Sequence, residues 1–457
     1  MLSPLGDPIY RRLFAAQVIA LAGTGLSTVA LALLAYDLAG GNAGKVLGTA
    51  LAIKMVAYVA IAPGIGGLAH RLPRKAFLVA LDLARAASVL CLPFVDAIWQ
   101  VYVLIFLLSA GSAAFTPTFQ AAIPDILPDE ARYTEALSLS RLAYDLEHLV
   151  SPIMAAVLLS VMTFDSLFAG NGIAFIVSAL LVLSVALPRP LPSDRPAGVL
   201  FNLRFGVRSY LATPRLRGLL FLSFAVAAAG AMMIVNSVIY VRAYLEGSET
   251  DLAIAFAASG AGSMLAALCL PRLFEMLPER PVMLAGGALM GLALMLGATR
   301  PGFLALLVLW FVLGLGSSLV QTPSGRLLRS SCRPADRSAY FAAQFALSHA
   351  CWLVAYPLAG WLGAAAGLPI AFAVLAALVG AASFAALLVW PAGQSFVLTH
   401  DHRAVEHAHL HVHDEHHMHG HEGWEGPEPH SHPHRHASMK HRHSFVIDSH
   451  HSDWPAQ

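Results

Sequence analysis

GGLAHRLPRK, residues 66–75, is a short basic junction between two long apolar stretches of the chain. The stretch before it covers 45–68 and the stretch after it covers 76–95. Each is long enough to cross the hydrocarbon of a bilayer, which takes roughly 20 residues of helix. The junction therefore predicts two membrane-spanning helices joined by a basic loop on the inner side of a membrane.

The composition of the whole chain agrees with a membrane protein. Of the 457 residues, 57% are hydrophobic and only 12% are charged, whereas soluble domains carry about 25% charged residues. Apolar runs of span length recur along the chain and predict twelve transmembrane helices. The predicted spans are 13–36, 45–68, 76–95, 97–124, 137–164, 166–188, 218–241, 252–271, 281–299, 301–325 and two within 338–399 that break at 367–369.

The basic residues are distributed unevenly between the two sides of the predicted bundle. With the N-terminus inside, the inner segments hold 18 Lys and Arg, whereas the outer loops hold three: Lys45, Arg242 and Arg300. This asymmetry predicts that both termini are cytoplasmic. Because the basic residues follow topology, they give no support for nucleic-acid binding. The sequence also contains no P-loop and no nucleophile–base motif, so it predicts neither a directly ATP-driven pump nor an enzyme, and no prosthetic group.

An internal repeat divides the membrane part into halves. Four prolines of the first half recur 205 or 206 residues later, and an even number of helices between them gives both halves the same topology. The pairs are Pro73 and Pro278, Pro117 and Pro323, Pro128 and Pro334, and Pro152 and Pro357. We therefore predict an all-α membrane protein with two parallel six-helix repeats. The predicted units are bundles at 8–188 and 218–392, a cytoplasmic linker at 189–217 with an interfacial helix, and a disordered tail at 393–457.

The junction at 66–75 resembles the cytoplasmic signature of the major facilitator superfamily, G-x-L-A-D-R-x-G-R-R/K. It departs from that signature at His70, where Asp is usual, and at Pro73, where Gly is usual. In addition, SPIMAA at 151–156 resembles the antiporter signature of the same family and favours antiport. The resemblance implies an alternating-access transporter with a gate on the cytoplasmic side. The residues predicted to form this gate are Gly66, His70, Arg71, Arg74, Lys75, a latch pair of Asp82 and Arg85, and Pro152.

Ionisable residues inside the predicted spans mark a candidate transport site, because such groups are costly in hydrocarbon. Arg141, Asp145 and His148 share one face of the fifth span and lie near the midplane. His349 reaches a similar depth, and Lys54 is a candidate partner for a carboxylate of the fifth span. These five residues are predicted to bind metal and exchange protons. The alternative interpretation is a structural Arg141–Asp145 ion pair with each histidine hydrogen-bonded between helices.

The tail collects imidazoles. From residue 400 onward it contains 18 of the 21 histidines, and several alternate with other residues in a flexible, polar sequence. Imidazole with carboxylate and without thiolate suits Ni²⁺, Cu²⁺, Zn²⁺ or Co²⁺. The candidate metal ligands are His407, His409, His411, His413, His416, His417, His419, His421, His430, His432, His434 and His436.

Together, the bundle and the tail resemble the bacterial nickel-resistance exporters, which are facilitator-type permeases with a His-rich cytoplasmic C-terminus. The resemblance implies a monomeric exporter in the bacterial inner membrane that expels nickel in exchange for protons, with lipid, metal ions and protons as its partners. Two alternatives remain open. One is an exporter of a siderophore or another organic molecule with a metal-sensing tail, and the other is a membrane-anchored metal store.

Overall fold

The computed structural model describes residues 2–39, 43–68, 72–188, 199–393, 397–402, 405–411, 430–436, 439–447 and 454. The first part of the chain forms α1 (Pro8–Ala39), α2 (Ala43–Leu68), α3 (Arg74–Leu90), α4 (Ile98–Ile126), α5 (Glu130–Leu159), α6 (Phe164–Leu183) and α7 (Val199–Ala212). The second part forms α8 (Pro214–Val238), α9 (Glu249–Met276), α10 (Glu279–Gly297), α11 (Phe303–Gln321), α12 (Ser324–Arg329), α13 (Arg337–Ala365) and α14 (Leu368–Val389). Four strands follow: β1 (Val397–His402), β2 (Val405–His411), β3 (His430–His436) and β4 (Met439–Ser444).

The described helices are those of a multi-pass membrane protein. Eleven segments are long and apolar enough to cross a bilayer. The twelfth predicted span corresponds to α5, which has 30 residues and is about 45 Å long at 1.5 Å per residue. The α-helical fold class of the membrane part is thus confirmed.

Two predicted boundaries show what hydropathy can and cannot locate. The break at 367–369 is confirmed, because Gly367 has φ of 82° between α13 and α14. The fifth span was predicted at 137–164, but α5 begins at Glu130. Its first turns are polar and are fixed by Asp129, whose side chain accepts a hydrogen bond from the backbone N–H of Arg132 at 2.8 Å. An apolar window misses helical turns of this kind.

The core divides into clusters that follow the two parts of the chain. One large cluster takes its residues from 205–390, with the addition of Ala121. Two further clusters take theirs from 10–185. Within the first part α1 packs on α6 and α3 packs on both α4 and α6, while in the second part α9 packs on α11 and α8 packs on α13 and α14.

The two parts meet along α2 and α13 and along α5 and α9. At the first of these seams small residues allow the helices to approach closely. A Cβ added to Gly66 of α2 would lie 2.5 Å from Ala342 Cβ of α13, and one added to Gly206 of α7 would lie 2.4 Å from the carbonyl oxygen of Ala339. Consequently α2, α7 and α13 are held together tightly at one end of the seam.

The tail differs from its prediction. The sequence predicts disorder, but the described residues form two antiparallel strand pairs, β1 with β4 and β2 with β3. The physical reason lies in the alternation of histidine with other residues. A period of two is the period of a strand, and the pairing satisfies backbone N–H and C=O groups that a polar segment leaves free.

Candidate transport site and cytoplasmic gate

Four polar residues lie near the midpoints of four helices that line the seams. They are Lys54 of α2, Asp145 of α5, Ser263 of α9 and His349 of α13. For spanning helices, the midpoint lies near the middle of the bilayer, where ionisable groups are rare and mark pathways for ions or substrates. The structure therefore places three predicted site residues, and one that was not predicted, near the middle of helices that line the seams.

The α5–α9 seam contains the first part of this site. The Arg141 guanidinium lies 3.1 Å from Asp145 Oδ1, and its Nε donates a hydrogen bond to Ser263 Oγ on α9 at 2.8 Å. Asp145 is only 5% exposed, yet its Oδ2 atom has no hydrogen-bond partner among the described residues. A buried carboxylate oxygen without a donor carries a desolvation cost. This oxygen is chemically suited to take up a proton or a cation.

The α2–α13 seam contains the second part. The His349 ring makes an edge-on contact with Tyr58 at a centroid distance of 4.8 Å and lies 4.2 Å from the Phe345 ring. Its Nδ1 is 2.7 Å from the Phe345 carbonyl oxygen. Because Nδ1 can donate to that carbonyl, the Nε2 atom of this tautomer carries the lone pair that can accept a proton or an ion.

Lys54 lies beside an aromatic ring of its own helix. Its Nζ is 5.7 Å from the centroid of the Tyr58 ring, a distance at which a cation–π contact is attractive. Among the described residues it forms no ion pair with Asp145, which is held by Arg141 instead. The predicted pairing of Lys54 with a carboxylate of α5 stays a prediction for Glu147.

Four predicted residues cannot be placed by their side chains. The side chains of His148 and Pro152 lie outside the described part of the structure, as do His70 and Arg71 entirely. The predicted convergence of His148 with His349 therefore stays a prediction. Next to His148, the Oε1 atom of Glu147 lies beside Gly25 of α1.

Asp82 and Arg85 of α3 form a closed ion pair inside the first part of the chain. Asp82 accepts from Arg85 and, at 2.8 Å, from Ser178 Oγ of α6. The guanidinium of Arg85 lies 4.1 Å from the Phe115 ring centroid and 4.5 Å from that of Phe175. These described hydrogen-bond and ring contacts lie on α3, α4 and α6, within the first part of the chain, so the geometry favours a structural pair over the predicted latch.

The predicted gate residue Arg74 belongs to an ion-pair cluster around Asp125 at the end of α4, a residue that the sequence interpretation did not assign to the gate. Asp125 accepts a hydrogen bond from Arg74 of α3 at 2.7 Å and a second one from Arg337 of α13. Arg74 was predicted as a gate residue, and Lys75 next to it is partly exposed. Since α3 and α13 belong to different parts of the chain, the Asp125 carboxylate ties these parts together on the predicted cytoplasmic side.

A second cluster of the same kind has its charges reversed. Arg326 of α12 lies 2.9 Å from Glu279 of α10 and 2.5 Å from Glu130 of α5, and it donates to Thr134 at 2.6 Å. A signal for it was present in the sequence. Glu279 follows Arg74 by 205 residues, the offset of the proline pairs, so the internal repeat exchanges a basic residue for an acidic one.

The histidines of the tail are brought together in register. In the β2–β3 pair, His407 lies opposite His434, His409 opposite His432 and His411 opposite His430. In the β1–β4 pair, His400 lies opposite His441. The predicted ligands His413, His416, His417, His419 and His421 lie outside the described residues. Among the side chains that the structure does describe, no group of three His, Cys, Asp or Glu is placed to hold a metal ion.

Known proteins share the sequence pattern and the fold. The profile described as Major Facilitator Superfamily matches residues 13–238 and 219–403. Macrolide efflux protein A of Enterococcus faecalis is 29% identical over 153 residues, which cover 31% of this chain and 47% of that protein. The match thus spans about half the length of this relative. The uncharacterized MFS-type transporter YfiS of Bacillus subtilis is 25% identical over 292 residues, covering 61% of this chain and 69% of that protein.

Two solved structures have the same fold. The human organic anion transporter MFSD10 (TETRAN) superposes with a TM-score of 0.72 at 12% identity, covering 83% of this chain and 99% of that one. A bacterial homologue of the iron transporter ferroportin, in an outward-facing state, superposes with a TM-score of 0.69 at 15% identity, covering 83% and 98%. At these identities the likeness concerns the fold alone.

Proposed function

This chain belongs to the major facilitator superfamily, and on that premise we propose that it exports divalent transition-metal ions from the cytoplasm, nickel first among them, in exchange for protons. As a member of this family the protein is a transporter in a membrane and not an enzyme. The direction of transport is supported by relatives that are named for efflux. The substrate is our inference from the residues.

The observation that carries the metal assignment is the register of β2 against β3. Three consecutive histidine positions of one strand lie opposite three histidine positions of the other. Directly opposed residues of an antiparallel pair have Cβ atoms about 4.5–5.5 Å apart. Two imidazoles at such positions are within reach of a single ion that binds nitrogen at about 2.0–2.1 Å. A polar segment that serves only solubility has no need of this pairing.

The mid-membrane residues supply the transport step in this proposal. We assign Arg141 and Asp145 to proton coupling, with His148, His349 and Lys54 as further members of the site. With the gate open, an ion delivered by the tail meets the free Asp145 oxygen. Protonation of that carboxylate from the opposite side then weakens its hold on the ion, and the ion leaves. This proposal keeps the four predicted units: transport by the bundles at 8–188 and 218–392, the linker at 189–217 between them, and ion supply by the tail at 393–457.

The proposal is tested by transport in proteoliposomes that contain a nickel-sensitive dye. Purified full-length protein is compared with a variant truncated after Gln394, with Asp145→Asn and with empty liposomes, under an imposed pH gradient. We expect uphill nickel movement with proton counterflow for the full-length and the truncated protein. Asp145→Asn and empty liposomes should show neither. If full-length protein binds nickel without moving it and the truncated protein does neither, the chain is a metal store.

A second candidate function, export of an organic molecule, is favoured by two observations. Relatives over part of the chain are macrolide efflux proteins, and the surroundings of His349 are partly aromatic, with the Tyr58 and Phe345 rings beside it and tilted to each other at a centroid distance of 5.0 Å. The same proteoliposomes decide between the functions when loaded with a labelled macrolide, with chelated nickel or with free nickel. Organic export predicts flux of the macrolide or the chelate and no flux of the free ion.

A further inference from the structure

The end of the His-rich segment is docked on the helices. β4 ends at Ser444, and the next described residues, Phe445 and Ile447, are each only 2% exposed. Burial to this degree is unusual in a segment made mostly of His, Asp, Glu and Ser, and it requires a partner surface. The apolar sequence SFVI at 444–447 also repeats SFVL at 395–398, at the other end of the segment.

The contacts of this end are specific in geometry. The Tyr340 hydroxyl of α13 donates a hydrogen bond to the carbonyl oxygen of Ile447 at 3.0 Å. The Phe445 ring meets the Trp454 ring edge-on at a centroid distance of 5.0 Å. The Trp454 ring in turn lies 5.7 Å from the guanidinium carbon of Arg215 at the start of α8. Aromatic and cation–π contacts at these distances are attractive beyond the burial of area.

The receiving surface is held in place by the helices themselves. Arg215 is 2% exposed and donates from Nε to Ser331 Oγ at 2.7 Å, and from Nη2 to the carbonyl oxygen of Ser330 at 2.8 Å. Tyr340 is fully buried and meets the Phe205 ring of α7 edge-on at 6.4 Å. The guanidinium and the hydroxyl that contact the terminal segment are thus positioned by α7, α8, α13 and the turn after α12.

This surface adjoins the gate. Tyr340 follows Arg337 by one turn of α13, and Arg337 is the residue that binds Asp125 across the two parts of the chain. The terminal segment therefore contacts the same helix turn that closes the predicted cytoplasmic side. On the other side of the His-rich segment, Val397 of β1 lies opposite Ser444 of β4, so the two ends of the segment are paired beside this turn.

We propose that Phe445, Ile447 and Trp454 form an anchor that docks on the surface of Arg215 and Tyr340 and fixes the His-rich segment as a closed loop beside the gate. A tail tied at one end samples a large volume, whereas a loop tied at both ends keeps its histidines near the mouth and raises the local ion concentration there. This consequence for metal supply rests on the proposed function, but the anchor itself does not.

The anchor is tested by hydrogen–deuterium exchange of the full-length protein in lipid nanodiscs, without added metal. The double variant Phe445→Ala/Trp454→Ala is compared with wild type and with Val446→Ala, a matched apolar change within the same segment whose side chain is only partly buried. We expect the peptide covering 440–450 to exchange at least about tenfold faster in the double variant, since burial of one aromatic side chain alone corresponds to such a factor. Val446→Ala should change the rate by less than about threefold.

A variant on the receiving surface separates docking from a general loss of structure. Tyr340→Phe keeps the ring and removes the hydroxyl that binds Ile447 and also contacts Ser209 and Thr213, so it should speed exchange at 440–450 while the peptides of α9 and α14 keep their wild-type rates. Rapid exchange of 440–450 in the wild type, at the rate of a free peptide, would overturn the anchor. Protection of this peptide in a protein that moves no nickel would keep the anchor and reject the metal function.

Discussion

Two arginine–aspartate pairs lie within single helices of this transporter, and they are built differently. Asp82 and Arg85 of α3 are buried, and both Asp82 oxygens are used, one by Arg85 and one by Ser178. Arg141 and Asp145 of α5 face the seam with α9, and Arg141 is 20% exposed. One oxygen of Asp145 is buried without a partner in the described structure. The first pair is closed, and the second has a free acceptor.

The difference teaches how to tell a structural ion pair from a working one in a membrane. A buried pair is stable only when most of its hydrogen-bonding groups are satisfied. Both Asp82 oxygens have donors, and the Arg85 guanidinium lies between the Phe115 and Phe175 rings, although its Nε has no hydrogen-bond partner among the described residues. A carboxylate that must bind and release protons or ions cannot be saturated in this way. Asp145 is not saturated, because its Oδ2 has no partner among the described residues.

The largest effect on stability is expected from Arg85→Ala. Removal of this guanidinium leaves Asp82 as an unpaired charge at 0% exposure, and breaking a buried pair by removing one partner costs about 3–5 kcal/mol. Thermal unfolding of the protein in detergent measures this loss. The double variant Asp82→Leu/Arg85→Met removes both charges and should recover most of the stability; a single variant as stable as wild type would show that the pair is not structural.

The next effect concerns the gate and uses a native cysteine as its reporter. Cys332 lies close to Arg337 and Asp125, and burial raises the pKa of its thiol to about 12, so it should react slowly with maleimide while the gate is closed. Asp125→Asn removes the charge that binds Arg74 and Arg337. We expect it to speed alkylation from the cytoplasmic side roughly tenfold, equivalent to about 1.4 kcal/mol in the opening equilibrium.

This experiment needs a background in which Cys91, Cys269 and Cys351 are serine, since two of these residues are exposed. Asp96→Asn serves as the matched control, because Asp96 is an exposed acidic residue in the loop before α4. Equal alkylation rates in the two variants would mean that Asp125 does not hold the gate.

A matched pair of small substitutions sharpens the comparison further. Ser178→Ala removes a hydroxyl from the closed pair, and Ser263→Ala removes one from the open pair. The first leaves a buried charged acceptor short of a donor and should lower the free energy of unfolding by about 1–3 kcal/mol, with unchanged transport per folded molecule. The second should change stability by less than about 1 kcal/mol and slow transport. If Ser178→Ala slowed transport and Ser263→Ala lowered stability, the Asp82 pair would be the one that acts in transport and the Asp145 pair would be structural.

The fold could be predicted from the sequence because bilayer thickness fixes helix length and the proline offset reveals the repeat. The break at Gly367 was predicted correctly because the apolar run around it is too long for a single span. The start of α5 was missed because its polar first turns lie outside the apolar window. The strands of the tail were missed because an alternating histidine pattern was interpreted only as a set of ligands.

The site was predicted only in part, and the reason is the distance between partners along the chain. Helical spacing correctly joined Arg141 with Asp145 and Asp82 with Arg85, because residues three or four apart share a face. It could not indicate that Phe115 and Ser178 would enclose one pair while Ser263 would meet the other. Asp125 was missed because both of its arginines come from other helices, one of them 212 residues away.

The most direct test of the central claim is proton-coupled transport by Asp145→Asn in proteoliposomes, with the unfolding temperature of the same preparation as its control. The substitution keeps the shape of the side chain and removes its charge, so it abolishes proton exchange and the ion pair with Arg141. It also removes the desolvation cost of the charged, unpartnered Oδ2, which offsets the loss of that pair. We predict a folded protein whose melting temperature stays close to that of wild type and whose uphill nickel export and proton counterflow are both lost. Export against the gradient at the wild-type rate would contradict the assignment of Asp145 as the coupling residue.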